Sequence, residues 1–252
     1  MSRKTTNFFG IVVKRQRYRE RDALVTILTR EYGYRTFLVR GTQTGKSKIS
    51  GAVIPFSYGD YSGLVKSQGL SYINSASNIR QFDEIIQDIE LNAYATFLFD
   101  IVQNAFIEQR LPDDWYKTVF KTLMYINNGA DAQILVNIVQ MHLLKIFGVE
   151  PNMHRCVVGG ETEGIFDYSV NLGGIICSKH FKADPNRLHL SRKTLYFLQL
   201  FSNIQIDQVR SIELKESNKD LIQHAIDAIY LGSVGFYPKS KTFIEKMHHW
   251  DV

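Results

Sequence analysis

Short apolar runs separated by turn residues fill the first 80 positions of the chain. Runs typical of strands occur at 8–13, 23–29, 35–39, 52–58 and 64–66, and Ser, Gly, Asn and Asp lie between them. From Leu24 to Thr29 the alternating positions are apolar on both faces, as in a small closed barrel. A spacing of roughly 10 to 12 residues between short strands predicts a five-stranded barrel of the oligonucleotide-binding (OB) type. An SH3-like barrel would show much the same pattern.

A helical period replaces the strand pattern near residue 84. The apolar stripe from Ile86 to Ala105 widens until it runs nearly all round, which predicts a buried central helix. Pro112 and Asp113 predict the start of a second helix that ends at 127–129, and Asp131 predicts the N-cap of a third. Further helices are predicted at 191–202, 218–230 and 240–248, and short strands at 165–170 and 174–177.

These elements predict an α+β protein. Residues 1–80 are the N-terminal five-stranded OB-fold barrel, and residues 81–252 are an all-helical domain with a small inserted zinc-ribbon-like β segment at about 152–188. A chain of 252 residues with 44% hydrophobic content can bury a full core. No apolar run approaches the roughly 18 residues that a membrane span requires, so we expect a cytoplasmic protein.

Charge is distributed unevenly along the chain. The first 70 residues hold 13 Lys and Arg against four Asp and Glu, whereas the remaining 182 hold 17 against 21. Ten aromatic residues lie between Phe8 and Tyr72, within the strand-like runs of the basic part. A basic segment rich in flat rings fits a polyanion with exposed bases, and single-stranded nucleic acid is the candidate that we favour.

The segment 41–47, with the sequence GTQTGKS, is similar to a phosphate-binding loop. Three residues separate its first glycine from the Gly-Lys pair, where a true loop has four. Pro55 follows soon after, and the segment cannot supply the helix whose N-terminus would face the phosphate. We therefore interpret it as a basic loop of the barrel, and nothing else in the chain calls for catalysis. The protein is not expected to be an enzyme.

Two cysteines and a histidine are the candidate metal ligands. Cys177 and His180 have the two-residue spacing of a zinc knuckle, but Gly159 occupies the position that would pair with Cys156. Three conventional ligands remain unless His154 contributes, and structural zinc needs four. We expect no cofactor, because the zinc ligand set is incomplete, and a ribbon held together by packing.

Several short motifs occur in an order and spacing that resemble the bacterial RecO family across nearly the whole chain. In the barrel these are Gly10, Ile11, Val12, Val13, Tyr18, Glu20, Asp22, Leu28, Thr29, Gly33, Val39, Arg40, Gly41, Lys46, Ser47, Pro55 and Phe56. Near the end they are Tyr230, Leu231, Gly235, Pro238, Lys239, Ser240 and Phe243.

The resemblance implies a non-catalytic DNA repair and homologous recombination mediator, active after DNA damage. Members of the family bind single- and double-stranded DNA, anneal complementary strands, and with RecR help load RecA onto DNA coated by single-stranded DNA-binding protein. The acidic tail of that coating protein docks on the helical domain. A nucleoid-associated location in the cytoplasm follows. Many members carry four zinc-binding cysteines in the ribbon, and Gly159 and His180 stand at two of those positions here.

DNA-binding residues are predicted from the charge pattern of the barrel. Phosphate contacts are assigned to Lys14, Arg15, Arg17, Arg19, Arg21, Arg35, Arg40, Lys46 and Lys48, with Tyr18 as a candidate for base stacking. A weaker basic group, Lys179, Lys182, Arg187, Arg192 and Lys193, flanks the ribbon. The alternative function is a non-catalytic protein-interaction scaffold whose basic barrel binds an acidic protein partner.

Overall fold

Five strand pairings, four antiparallel and one parallel, close the N-terminal region into a barrel. The computed structural model describes residues 5–42, 49–66, 69–107, 110–209 and 212–248. The strands are β1 (Thr6–Tyr18), β2 (Asp22–Thr29), β3 (Gly33–Val39), β4 (Ser57–Leu64) and β5 (Ser71–Gln81). Their order around the barrel is β1-β2-β3-β5-β4, with β3 and β5 parallel and the other pairs antiparallel. The predicted five-stranded OB-type barrel is confirmed.

The barrel core is built from the alternating apolar residues of these strands. Phe8 stacks on Phe37 with 5.0 Å between ring centroids and on Tyr61 with 5.9 Å, and Val12, Val25 and other small apolar residues fill the remaining space. Aromatic pairs of this kind add to the free energy of simple burial. The interior is thus a packed core rather than a channel.

The last two strands lie later in the chain than the sequence pattern predicts. Residues 51–53 form a short 3₁₀ turn, and β4 begins only at Ser57. The fifth strand runs from Ser71 to Gln81 instead of 64–66. Strand β4 is rich in Ser and Gly and strand β5 in Ser and Asn, so their apolar signal is weak although their backbones pair over many residues.

Two compact units divide the chain, one comprising Met1–Phe99 and Phe106–Gly129, the other Asp100–Ala105 and Ala130–Val252. The first unit contains the barrel, α1 (Asp83–Gln87), most of α2 (Ile89–Ala105) and α3 (Asp113–Asn127). In that unit, Phe120 of α3 packs against Phe9, Tyr58 and Phe82, with ring centroids 5.3 to 6.0 Å apart. The predicted start of α3 at Asp113 is confirmed.

The second unit is mainly helical. It contains α4 (Ala132–Ile146), α5 (Arg192–Asn203), α6 (Glu216–Ile229) and α7 (Lys239–His248), with a π-helical turn at Tyr230–Val234. Asp131 accepts a hydrogen bond from the backbone N–H of Ile134 at 3.0 Å, which confirms the predicted cap of α4. Almost every residue of α4 is buried, so it forms the centre of this unit.

A two-stranded antiparallel ribbon is inserted between α4 and α5. It consists of β6 (Phe166–Ser169) and β7 (Gly174–Cys177), followed by a 3₁₀ helix at Ser178–Ala183. Asp167 of β6 is buried and accepts hydrogen bonds from the backbone N–H groups of His189 and Leu190, both at 2.9 Å. Among the described residues, the structure has no helix with the length and apolar character of a membrane span.

Candidate nucleic-acid interface

A β-bulge in β1 divides the basic run of the first hairpin between two faces. Val12 pairs with Ile27, but Lys14 pairs with Thr26, so the register shifts by one residue between them. Arg15 and Arg17 are consequently opposite Val25 and Ala23, which are both buried in the barrel core. Directly paired residues share a face of the sheet. Lys14 therefore lies on the outer face, while Arg15 and Arg17 lie on the inner face toward the end of the barrel.

Arg15 is half-buried and bonds to two backbone positions that are separate in the sequence. Its guanidinium donates to the carbonyl oxygens of Ser50 at 3.0 Å and Thr42 at 3.4 Å. These two residues flank the segment 43–48, which contains Lys46 and Lys48. The contacts predicted for those two lysines lie outside the described residues, and the phosphate contact assigned to Arg15 stays a prediction.

Four further basic residues surround the hairpin turn with their side chains exposed. These are Lys14, Arg17, Arg19 and Arg21, here called the hairpin cluster. Within the described part of the chain, none of the four has a carboxylate at ion-pair distance. Arg19 sits at the turn with φ of 54°, and its guanidinium lies 5.2 Å from the centroid of the Tyr18 ring. Positive charge at this end of the barrel is therefore available to an external anion.

A second group of cations meets at one aromatic ring. The guanidinium of Arg40 lies 5.8 Å from the centroid of Tyr72, and the ammonium of Lys66 lies 5.2 Å from it. Leu38 of β3 pairs with Tyr72 of β5, which brings the two cations together although they are far apart in sequence. A groove of about 650 Å³, whose lining includes Val39, Arg40 and Tyr72, adjoins the ring. Neither Lys66 nor Tyr72 was predicted from the sequence as a binding residue.

Two other barrel arginines differ in their surroundings. Arg35 is exposed and donates to the backbone oxygen of Tyr34 at 3.2 Å. Arg30 forms an ion pair with Asp113 of α3 at 2.6 Å, and that contact is the main reason why the pKa of Asp113 falls to about 2. Arg30 is thus already neutralised within the protein.

Four potential metal-binding side chains lie close together near the end of strand β7. Ligand atoms of Cys156, Glu161, Cys177 and His180 all lie within 4.8 Å of one another. Glu161 was missed in the sequence because it stands five residues after Cys156, outside the usual two-residue spacing. A tight turn folds it back: the Cys156 N–H donates to the Glu161 carbonyl oxygen at 2.7 Å.

The environment of Cys156 favours its thiolate. Burial opposes ionisation of this thiol, but the backbone N–H groups of Gly159 and Cys177 donate to the sulfur at 3.4 and 3.3 Å and lower the pKa. Thiolate, neutral imidazole and carboxylate are the donors that Zn²⁺ takes in proteins. Glu161 is thus a further potential donor beside the three conventional ligands predicted from the sequence.

Comparison with known families agrees with the two-part architecture. The family model described as Recombination protein O N terminal matches residues 1–82, and that described as Recombination protein O C terminal matches residues 86–242. The DNA repair protein RecO of Ligilactobacillus salivarius is 44% identical over 246 residues, covering 97% of this chain and 95% of its own length. That of Levilactobacillus brevis is 39% identical over 252 residues, covering 100% and 97%. The chain belongs to the RecO family of DNA repair proteins.

Proposed function

We propose that the chain is a non-catalytic recombination mediator that binds single- and double-stranded DNA at the basic end of its barrel. The observation that carries this proposal is the hairpin cluster, four exposed cations without a carboxylate partner among the described residues. Cations of this kind bind phosphates by releasing condensed counterions, which gives affinity without sequence preference.

The group around Tyr72 extends this surface in the proposal. Arg40 and Lys66 supply two more phosphate contacts, and the half-buried ring of Tyr72 supplies an edge for a base beside the adjoining groove. Arg15 acts indirectly, because its guanidinium donates to the backbone oxygens of both Thr42 and Ser50 and so holds these two barrel residues together.

Strand annealing follows from the same charge. Two complementary strands repel each other, and a basic surface lowers that repulsion without making or breaking a bond. In the proposal this activity, together with RecR, helps load RecA onto DNA coated by single-stranded DNA-binding protein. No catalytic residue is required.

The helical unit is proposed to bind the acidic, apolar tail of the coating protein. On α5, the exposed ring of Tyr196 lies three residues after the exposed Lys193, so both side chains share one face of the helix. An apolar ring beside a cation suits a peptide that carries both apolar and acidic side chains.

Salt dependence tests the DNA-binding surface. Changing Arg17, Arg19 and Arg21 together to Gln removes three charges from the hairpin cluster. We expect the slope of log affinity for single-stranded DNA against log salt to become shallower by about 2, because each lost phosphate contact contributes about 0.7. Fluorescence anisotropy over a range of salt concentrations measures this slope.

A matched control removes the same charge from the other basic group. Lys182, Arg192 and Lys193 are all exposed, and changing them to Gln should leave the slope nearly unchanged. Equal effects in the two variants would mean that net charge alone matters. An unchanged slope in the hairpin variant would contradict the assignment and favour the scaffold with an acidic protein partner.

A further inference from the structure

We propose that Glu161 is the fourth ligand of a zinc site completed by Cys156, Cys177 and His180. The four-cysteine set implied by the family resemblance does not fit this chain, which has two cysteines in total. A mixed set of two thiolates, one imidazole and one carboxylate does fit it. The proposal does not depend on DNA binding.

The distances between the donors match the edges of a zinc tetrahedron. His180 Nδ1 lies 3.3 Å from Cys177 Sγ, 3.5 Å from Cys156 Sγ and 3.6 Å from Glu161 Oε2. Bonds of about 2.3 Å to sulfur and about 2.0 to 2.1 Å to nitrogen and oxygen give tetrahedral edges of roughly 3.3 to 3.8 Å. Three of the six edges, all from His180 Nδ1, thus fit a zinc tetrahedron, and the other donor pairs lie within 4.8 Å of one another.

Gly159 explains how a glutamate can take this position. A Cβ atom placed on Gly159 would lie 2.3 Å from Glu161 Oε2 and 2.3 Å from His180 Cε1. The carboxylate therefore fills the space that a side chain at position 159 would need. Glycine at position 159 and the inward position of the Glu161 carboxylate are thus two parts of one local arrangement.

The inner oxygen of this carboxylate is poorly hydrogen-bonded. Glu161 Oε2 is buried, lies 3.6 Å from His180 Nδ1 and makes no hydrogen bond of good distance and angle within the described residues, although its own backbone N–H and the Cys177 side chain lower the pKa of this carboxyl. The outer oxygen, Oε1, lies 3.7 Å from the exposed ammonium of Lys179. A buried carboxylate oxygen without a good hydrogen bond is costly, and coordination to a cation would remove that cost.

The site would also stabilise a part of the fold with little apolar core. The buried cluster here consists of Cys156, Ile176 and Cys177. Zinc would cross-link the turn at 156–161, strand β7 and the 3₁₀ helix at Ser178–Ala183. A structural metal commonly supplies the stability that so small a core cannot.

Metal content and ligand identity can be measured on the full chain. We expect one zinc per chain by elemental analysis, and zinc X-ray absorption that shows two sulfur and two nitrogen or oxygen ligands. Changing Glu161 to Ala should weaken zinc affinity more than about 100-fold, since loss of an outer-shell partner alone costs roughly 10- to 100-fold. The control is Glu163→Ala, because Glu163 lies in the same loop and is exposed.

Each result has a definite meaning. Wild-type protein that binds no zinc, even when titrated with the metal, would overturn the site altogether. Equal zinc affinity in Glu161→Ala and Glu163→Ala would exclude Glu161 as a ligand. Should Glu161→Ala fail to fold, the absorption spectrum of the wild-type protein still decides, since a light-atom count of one or a sulfur count other than two contradicts the proposed set.

Discussion

Two basic groups look alike in the sequence but differ in the structure. The exposed charges of the hairpin cluster have no carboxylate partner within the described ranges. Beside the ribbon, Arg187 pairs with Asp167 at 3.1 Å and stacks over Phe181 at 4.2 Å, and Lys179 pairs with Glu161. Two of the five cations beside the ribbon are thus paired within the protein, and a count of basic residues in the sequence does not show which ones are.

The difference has a physical origin in the size of the two cores. The barrel buries Phe8, Phe37, Tyr61 and many smaller residues, so its end can carry unpaired charge without loss of the fold. The ribbon has a small apolar cluster and relies on polar contacts such as those of Asp167 and Asp184. The Ser169 hydroxyl donates to Asp184, and this hydrogen bond is the main reason why the pKa of that carboxyl lies below its usual value.

The largest effect is expected from Asp167→Ala. This change removes the acceptor for the N–H groups of His189 and Leu190 and leaves Arg187 without its partner. Breaking a buried ion pair from one side costs about 3 to 5 kcal/mol, so the free energy of unfolding should fall by that order. Urea unfolding measures it, with the exposed Asp220→Ala as the control. Equal stability of the two variants would show that the contacts of Asp167 with Arg187, His189 and Leu190 do not stabilise the fold.

A smaller effect should separate two neighbours within the hairpin itself. Arg15→Gln removes hydrogen bonds to Ser50 and Thr42 and should lower the free energy of unfolding by about 1 to 2 kcal/mol. Arg17→Gln should stay within about 0.5 kcal/mol, as is usual for an exposed side chain. Urea unfolding and DNA anisotropy on both variants should show stability loss mainly in the first and affinity loss in the second. The opposite order would refute the different roles assigned to Arg15 and Arg17.

Local signals in the sequence predicted more of the helices than of the sites. Helix starts depend on neighbouring residues, so the start of α3 after Pro112 and the start of α4 at its cap Asp131 were predicted correctly, although Asp113 is the first residue of α3 and not its cap. Strands β4 and β5 were placed too early, because their small polar residues carry little apolar periodicity.

The contacts missed in the sequence depend on how the backbone folds. Glu161 reaches the cysteines through a turn, and Tyr72 meets Arg40 through the parallel pairing of β3 with β5. Neither contact follows a fixed spacing. Identifying them required the folded backbone, whereas the exposed hairpin cluster was visible as a run of charge.

The smallest effect concerns Arg30, which is a basic residue of the barrel but forms an ion pair with Asp113. The hydrogen bond from Arg30, followed by that from Lys117, lowers the pKa of Asp113 to about 2. A carboxyl whose pKa is lowered on folding stabilises the protein above its ordinary pKa of 3.8, and this contribution is lost as pH falls toward 2. Asp113→Asn should therefore be slightly less stable than wild type at pH 7 and equal to it near pH 2.

Exposure and salt keep this difference small, since both partners are in contact with solvent. Urea midpoints at pH 7, 4 and 2 measure it, and Asp114→Asn serves as the neighbouring control because that side chain is 96% exposed.

Arg30→Gln should leave the salt slope for DNA unchanged, in contrast to the hairpin variant. A slope that became shallower by about 0.7, the contribution of one phosphate contact, would show that Arg30 binds DNA. The 2.6 Å ion pair with Asp113 would then not prevent Arg30 from binding a phosphate.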